Sequence, residues 1–127
     1  MYPLDPIVVV DDEELVRTIL VRMLREAGYQ ALAADGGEAA LALIAERGGA
    51  VALVLSDVVM PKLDGLALVA RLSVAHPTLP TILMTAYTDG ELAEHNLVPT
   101  CGLLRKPFTS AALLAEVRRC LDARGAA

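Results

Sequence analysis

An α/β fold built on a doubly wound parallel sheet is the class this sequence predicts. Three observations predict it. Short, continuous, β-branched or leucine-rich apolar runs recur along the chain, most of them ending at a polar residue. Stretches with helical apolar spacing separate them. Gly and Pro punctuate the junctions. Such alternation argues for right-handed crossovers and a sheet covered on both faces.

The first run, Ile7 to Val10, reads as a strand buried on both faces. Asp11-Asp12-Glu13-Glu14 follows, and Leu15, Ile19, Leu20, Met23 and Leu24 then repeat at helical spacing up to Gly28. Acids in the first turn and a terminal Gly are proper helix punctuation. Asp11-x-x-Glu14 is also a capping pattern, so part of the acid run is expected to cap this helix. Tyr29 to Ala33 is a weak strand, and Gly37 to Glu46 is an Ala- and Leu-rich helix closed by Gly48-Gly49. Val51 to Ser56 is a strongly apolar strand ending at Asp57. After a loop carrying Met60-Pro61, Asp64-Gly65 opens a helix over about Leu66 to Val74, stopped by His76-Pro77. Thr81 to Met84 is a strand ending at Thr85, and Asp89 to His95 makes at most a short, poor helix. Gly102 to Leu104 is the last strand, ending in Arg105-Lys106-Pro107. Thr109 can cap a final helix with Leu113, Leu114, Val117 and Leu121 on one face.

Five strands and five helices in 127 residues fit the flavodoxin-like strand order 2-1-3-4-5. The chain reads as one domain over 1–127, with its core from about 7 to 122 and no repeat or linker. Ala123 to Ala127 reads as a fraying end, or as the place where a longer chain was cut.

Composition narrows the function. Lys and Arg number 11 against 16 Asp and Glu, a formal charge of −5, which argues against holding a nucleic-acid backbone. Aromatics are only 3%, so a base-stacking platform is excluded as well and the core must be aliphatic. The acidic balance suits a metal cation or a basic partner surface. No apolar run is long enough to span a membrane and no signal peptide is visible, so a cytoplasmic location is expected. Cys101 and Cys120 make no disulfide framework and are expected as separate thiols in a reducing compartment.

In an open parallel sheet, ligands bind beyond the carboxyl ends of the strands where strand order reverses, here between the first and third strands. The first ends at Asp11 and Asp12 and the third at Asp57, so three carboxylates should converge. Carboxylates that close repel one another, and a hard cation such as Mg²⁺ resolves the conflict. The fourth strand delivers the Thr85 hydroxyl to the same crevice and the fifth delivers Lys106. Acids, a cation, a hydroxyl and an ammonium suit phosphoryl transfer to a carboxylate, with one Asp as nucleophile.

Val8-Val9-Val10-Asp11-Asp12-Glu13, Ser56-Asp57-Val58-Val59-Met60-Pro61, Asp64-Gly65, Met84-Thr85-Ala86 and Lys106-Pro107-Phe108-Thr109 together resemble the receiver domain of two-component response regulators, of the chemotaxis-regulator type. The resemblance spans about Ile7 to Leu121, with each motif at an expected strand end or loop. It implies that Asp57 accepts a phosphoryl group from a phosphohistidine on a histidine kinase or histidine phosphotransfer domain. It implies Mg²⁺ bound by Asp12, Asp57 and the main-chain carbonyl of Val59, with Asp11 acting mainly through a water. Thr85 and Lys106 would contact the phosphoryl oxygens, and Lys106-Pro107 would be a cis peptide. The position where the family often has an aromatic switch residue holds Leu103. Helix-breaking residues between the fourth and fifth strands resemble receivers fused to hybrid histidine kinases. Val59 and Tyr87 offer no acid or amide to guide a hydrolytic water, which implies slow self-dephosphorylation. The output face would be the fourth helix, last strand and last helix. The domain is expected to be a monomer or weak homodimer that binds neither membrane nor nucleic acid.

Plainer readings compete. Asp57 could be a turn residue, Thr85 a strand-end hydroxyl and Lys106 a solvated surface lysine. Asp64-Gly65 is expected to be structural, and His76 and His95 to be isolated surface residues. A phosphate-independent interaction module is the main rival. An Asp-nucleophile phosphatase would commonly carry a second acid at position 59, which here is Val59. A nucleotide-binding domain would need a Gly-rich loop where Asp11-Asp12-Glu13 stands.

Overall fold

In the computed structural model, residues 4–86 and 101–126 are described. They form β1 (Ile7–Val10), α1 (Glu14–Glu26), β2 (Ala31–Ala34), α2 (Gly37–Glu46), β3 (Leu53–Asp57), α3 (Gly65–Ala75), β4 (Thr81–Thr85), β5 (Gly102–Arg105) and α4 (Ser110–Ala126). All strand pairs are parallel, in the order β2-β1-β3-β4-β5, as the alternation predicts. Four helices rather than five lie among the described residues, because the expected Asp89–His95 helix falls outside them.

Strand periodicity divides the core into layers. Ile7, Val9, Leu53, Leu55, Ile82 and Met84 face α1 and α4, where they meet Leu20, Leu24, Leu113 and Val117. Val8, Val10 and Val54 face the other way, onto Ala40 and Ile44 of α2 and Leu68 and Leu72 of α3. The central strands are therefore apolar on both faces, which is why they read as continuous runs. Thr109 caps α4, its Oγ1 accepting from the Ala112 N–H at 3.1 Å. Gly28 closes α1 at φ 102°, a conformation that favours glycine.

Three expectations need correction. In α1 the buried residues are Leu20, Val21 and Leu24, whereas Leu15 and Ile19 are 73% and 44% exposed. Residues 15 and 19 share one helical stripe with Arg22 and Glu26, which pair at 3.0 Å on the solvent side. The last helix runs beyond Ala123: α4 continues to Ala126, and Arg124 donates to the carbonyls of Val51 and Ala52 at 2.8 and 2.9 Å. Cys101 and Cys120 are not separate thiols but form a disulfide, with Cα atoms 5.8 Å apart. The crossover from β5 lays α4 back along the strand and brings Cys120 over its start, a juxtaposition invisible in a spacing of 19 residues.

Among the described residues, no helix is long and apolar enough to cross a membrane.

Candidate functional site

Register places the site. Val10 lies level with Ala34 on one side and Ser56 on the other, so β1 ends one residue short of β3. Asp11 and Asp57 are the next residues along, and Asp11 N–H still bonds the Ala34 carbonyl at 3.2 Å. Asp11, Asp12 and Asp57 each offer a carboxylate oxygen within 4.8 Å of the others. Asp11 and Asp57 are buried while Asp12 is exposed. Lys106, just past β5, brings Nζ to 3.3 Å from Asp57 Oδ2. Thr85 ends β4, buried, and its carbonyl accepts from the Lys106 N–H at 2.7 Å. The Lys106–Pro107 peptide is cis.

Asp11 is fixed on several sides. Its Oδ1 accepts from the Glu13 N–H at 2.9 Å, and its main-chain carbonyl accepts from the Arg17 guanidinium at 2.7 Å. Its Oδ2 is buried without a hydrogen-bond partner among the described residues. Burial is the main reason its carboxyl titrates above the ordinary value of 3.8, and the neighbouring Asp57 and Asp12 push the same way. The Glu13 N–H and Lys106 oppose them. The helix-capping reading of the acid run fails, because Glu13 occupies the N-cap of α1 without a side-chain capping bond. The acids are turned toward one another instead.

That arrangement fits a hard divalent cation. The donors are all carboxylate oxygens, one is an orphan among the described residues, and the three acids gather where Lys106 pairs with Asp57. Charges that close at the rim of an apolar core call for a counter-ion.

The loop after β3 holds the Asp57 end of the strand in place. Val58 N–H bonds the Met84 carbonyl at 3.0 Å, and Gly65 N–H bonds the Val58 carbonyl at 2.9 Å. A β-carbon at Gly65 would collide with the Asp57 carbonyl, so only glycine lets α3 start so close beneath the site. Asp64 caps α3 by accepting from the Ala67 N–H at 2.9 Å. Asp64-Gly65 is thus structural, as its sequence suggests. Val59 sits in this loop, 58% exposed, while Met60 turns inward into the core. Leu103 packs half-buried against Val58, Val69 and Leu83. His76 ends α3, away from the acids; Tyr87 and His95 lie outside the described residues.

Sequence reasoning overlooks two residues here. Arg17 anchors the Asp11 main chain, yet it is one of several arginines on α1 and no motif sets it apart from Arg22 or Arg25. Lys62 adopts φ 62°, unusual for a side-chain-bearing residue, and lines a groove of about 320 Å³ beside Asp12 with Asp35 and Glu38. The neighbouring Pro61 hints at a tight turn but not at that conformation.

Comparison with known proteins agrees with this geometry. The profile of the family described as response regulator receiver domain matches residues 7–118. The sensor kinase CckA of Brucella abortus is 37% identical over 118 residues, covering 91% of this chain and 12% of that protein. The DNA-binding transcriptional regulator NtrC of Salmonella typhimurium is 37% identical over 115 residues, 90% of this chain and 24% of that protein. The chain thus spans a minor part of these relatives' lengths. Among solved structures, the receiver domain of the hybrid histidine kinase CckA superposes with a TM-score of 0.76 at 33% identity, covering 91% of this chain and 98% of that one. The receiver domain of a signal transduction histidine kinase from Syntrophus aciditrophicus gives 0.85 at 29% identity, covering 94% and 91%.

Proposed function

The chain belongs to the response regulator receiver domain family of two-component signalling, and on that premise we propose that it is a phosphoacceptor switch whose acceptor is Asp57. The observation that carries this reading is the buried carboxylate of Asp57, flanked by Asp11 and Asp12 and paired with Lys106 at 3.3 Å. A carboxylate ionised at neutral pH needs no general base. A carboxylate oxygen of Asp57 attacks the phosphorus of a phosphohistidine. The P–N bond breaks, and its electron pair returns to the partner's imidazole. Lys106 stays beside the acceptor and meets the charge on the transferring oxygens.

Asp12, Asp57 and the Val59 main-chain carbonyl would hold Mg²⁺, with Asp11 acting through a water. When bound, this cation supplies neutralisation of the phosphoryl oxygens. Thr85, at the end of the neighbouring strand, gains a phosphoryl oxygen to bond once Asp57 is modified. That contact exists in only one phosphorylation state, so it biases the domain toward its active conformation. The partner is a histidine kinase or histidine phosphotransfer domain, and a cytoplasmic location fits such an exchange. The domain acts as a signalling switch rather than a turnover enzyme, assisting only the gain and loss of its own phosphoryl group.

Intact mass after incubation with acetyl phosphate tests the reading. One added phosphoryl group is expected, dependent on Mg²⁺ and absent in Asp57→Asn. A folded wild-type protein that takes up neither phosphoryl group nor beryllofluoride overturns it and favours a phosphate-independent interaction module.

A further inference from the structure

We propose that the Cys101–Cys120 pair is a reversible thiol–disulfide exchange site, opened by low-molecular-weight thiols of the glutathione class through attack on Cys101. The proposal stands apart from the phosphoryl chemistry: the pair lies at the opposite end of β5 from Lys106.

Three observations carry it. First, one bridge joins the residue before β5 to the inner face of α4, in a domain whose aliphatic core is already closed on both faces of the sheet. Disulfide frameworks serve small domains that cannot bury enough apolar surface, and this domain is not one of them. Second, access is one-sided. Cys120 is fully buried, whereas Cys101 is half-buried at the strand's edge. An incoming thiolate therefore reaches the Cys101 sulfur and expels Cys120. Third, the expelled sulfur has a cation beside it. Arg119 donates to the Cys101 carbonyl at 2.6 Å and stands 3.7 Å from Cys120 Sγ. Its charge is shared with Glu116, which accepts at 2.9 and 3.1 Å. A neighbouring guanidinium favours a thiolate over a thiol, and a leaving thiolate of lower basicity departs faster. A β-carbon at Gly102 would meet the Glu116 carboxylate, so glycine there leaves this side chain its place beside Arg119.

The exchange balances. A thiolate RS⁻ forms a bond to Cys101 sulfur, the Cys101–Cys120 bond breaks, and its electron pair leaves on Cys120, which then takes a proton. A second thiolate attacks the external sulfur of the mixed disulfide, releasing Cys101 thiolate and RSSR. Two small thiols are oxidised as the protein bridge is reduced, and RSSR runs the sequence backwards.

The test separates an exchange site from a permanent staple. The oxidised protein is treated with millimolar glutathione under native conditions, quenched with an alkylating agent and weighed. Both thiols are expected to become alkylatable while circular dichroism stays native. With oxidised glutathione, Cys120→Ala is expected to take one glutathionyl group on Cys101, and folded Cys101→Ser to take none. Arg119→Ala is expected to slow opening severalfold, and Arg119→Lys, which keeps the charge, to retain most of the rate. A bridge that opens only in denaturant overturns the proposal. So do cysteines that stay reduced in the presence of oxidised glutathione, and an adduct on Cys120 rather than Cys101. Acetyl phosphate labelling of the same samples reads the phosphoryl site independently, so failure of one reading leaves the other standing.

Discussion

Asp11 sits in surroundings that disfavour its charged form. It is buried, one oxygen has no hydrogen-bond partner among the described residues, and its carboxyl titrates above the ordinary value of 3.8, chiefly through burial. Over the pH range between those two values the folded state holds a proton that the unfolded chain has released. Folding stability is therefore lost as pH rises through that range, and at neutral pH the charged, unpartnered oxygen is a standing cost. Asp11→Asn is expected to raise the melting temperature at neutral pH in chelator, by about 1 kcal/mol of stability, and to flatten the acid side of the profile. It is also expected to shrink the stabilisation that added Mg²⁺ gives wild type. Thermal melts against pH, with and without Mg²⁺, check both. Arg17 offers a sharper contrast. If its guanidinium mattered only as a charge, Arg17→Ala would tighten Mg²⁺ binding by removing a like charge. The 2.7 Å bond to the Asp11 carbonyl predicts the opposite, because the acid-bearing turn loses its anchor. Calorimetric Mg²⁺ titration is expected to show roughly tenfold weaker binding in Arg17→Ala. Arg22→Ala, in an exposed pair with Glu26, is expected to match wild type. The acids and Lys106 are legible in sequence because each follows an apolar strand. Arg17 is not, because its role depends on how far one side chain reaches back across the turn.

Elements were legible in proportion to their burial. β1, β3 and β4 are apolar on both faces, and their positions follow directly from runs that no other element could bury. Boundaries shifted by a residue or two, since a strand ends where pairing ends and not where polarity begins. Helix phase was less legible. Leu15 and Ile19 have the spacing of a core stripe, but Val16, Leu20 and Leu24 occupy the inward face, and the outer pair remains exposed. Those two residues lie on the first turns of α1, the end that follows Asp11 and Asp12, and Val59 is exposed in the loop after β3. On the proposed reading of Asp57, exposed apolar side chains beside the site suit docking of the phosphohistidine-bearing partner. Leu15→Glu with Ile19→Glu is therefore expected to slow phosphoryl transfer from a phosphorylated histidine phosphotransfer domain by at least tenfold. Labelling by acetyl phosphate, which needs no docking, is expected to stay within about twofold. Equal loss with both donors would place the effect in the site and not in the interface. The cysteine pairing was legible at neither level, because it depends on the angle at which α4 returns across β5.

At the scale of the whole molecule, the proposed function asks how phosphorylation of Asp57 at the end of β3 is felt at β5 and α4. A tyrosine or phenylalanine at position 103 could rotate between solvent and core. Leu103 cannot, and it already sits in an apolar cluster with Val58, Val69 and Leu83. Among the described residues, one route runs through main chain. The Thr85 carbonyl accepts from the Lys106 N–H at 2.7 Å, so movement of Thr85 toward a phosphoryl oxygen pulls on the end of β5. Magnitudes limit what that contact can do. Driving a two-state equilibrium from 1:99 to 99:1 needs about 5.5 kcal/mol, and a hydrogen bond to a charged group contributes about 1.5–3 kcal/mol. Lys106 is paired with Asp57 before any phosphorylation, so its gain on activation is only partial. A bond from Thr85 to a phosphoryl oxygen then supplies one part of the new stabilisation. Thr85→Ala is expected to accept a phosphoryl group on Asp57 with near wild-type yield while its conformational equilibrium shifts about tenfold less or worse. Hydrogen exchange with and without beryllofluoride checks this. In wild type, protection should change along β4, β5 and the face of α4 that covers them. In Thr85→Ala the change should stay confined to the acid turn and the β3–α3 loop. Undiminished protection at β5 in the variant would mean that Lys106 alone transmits the signal, and that the hydroxyl at the end of β4 is only a strand-end ornament.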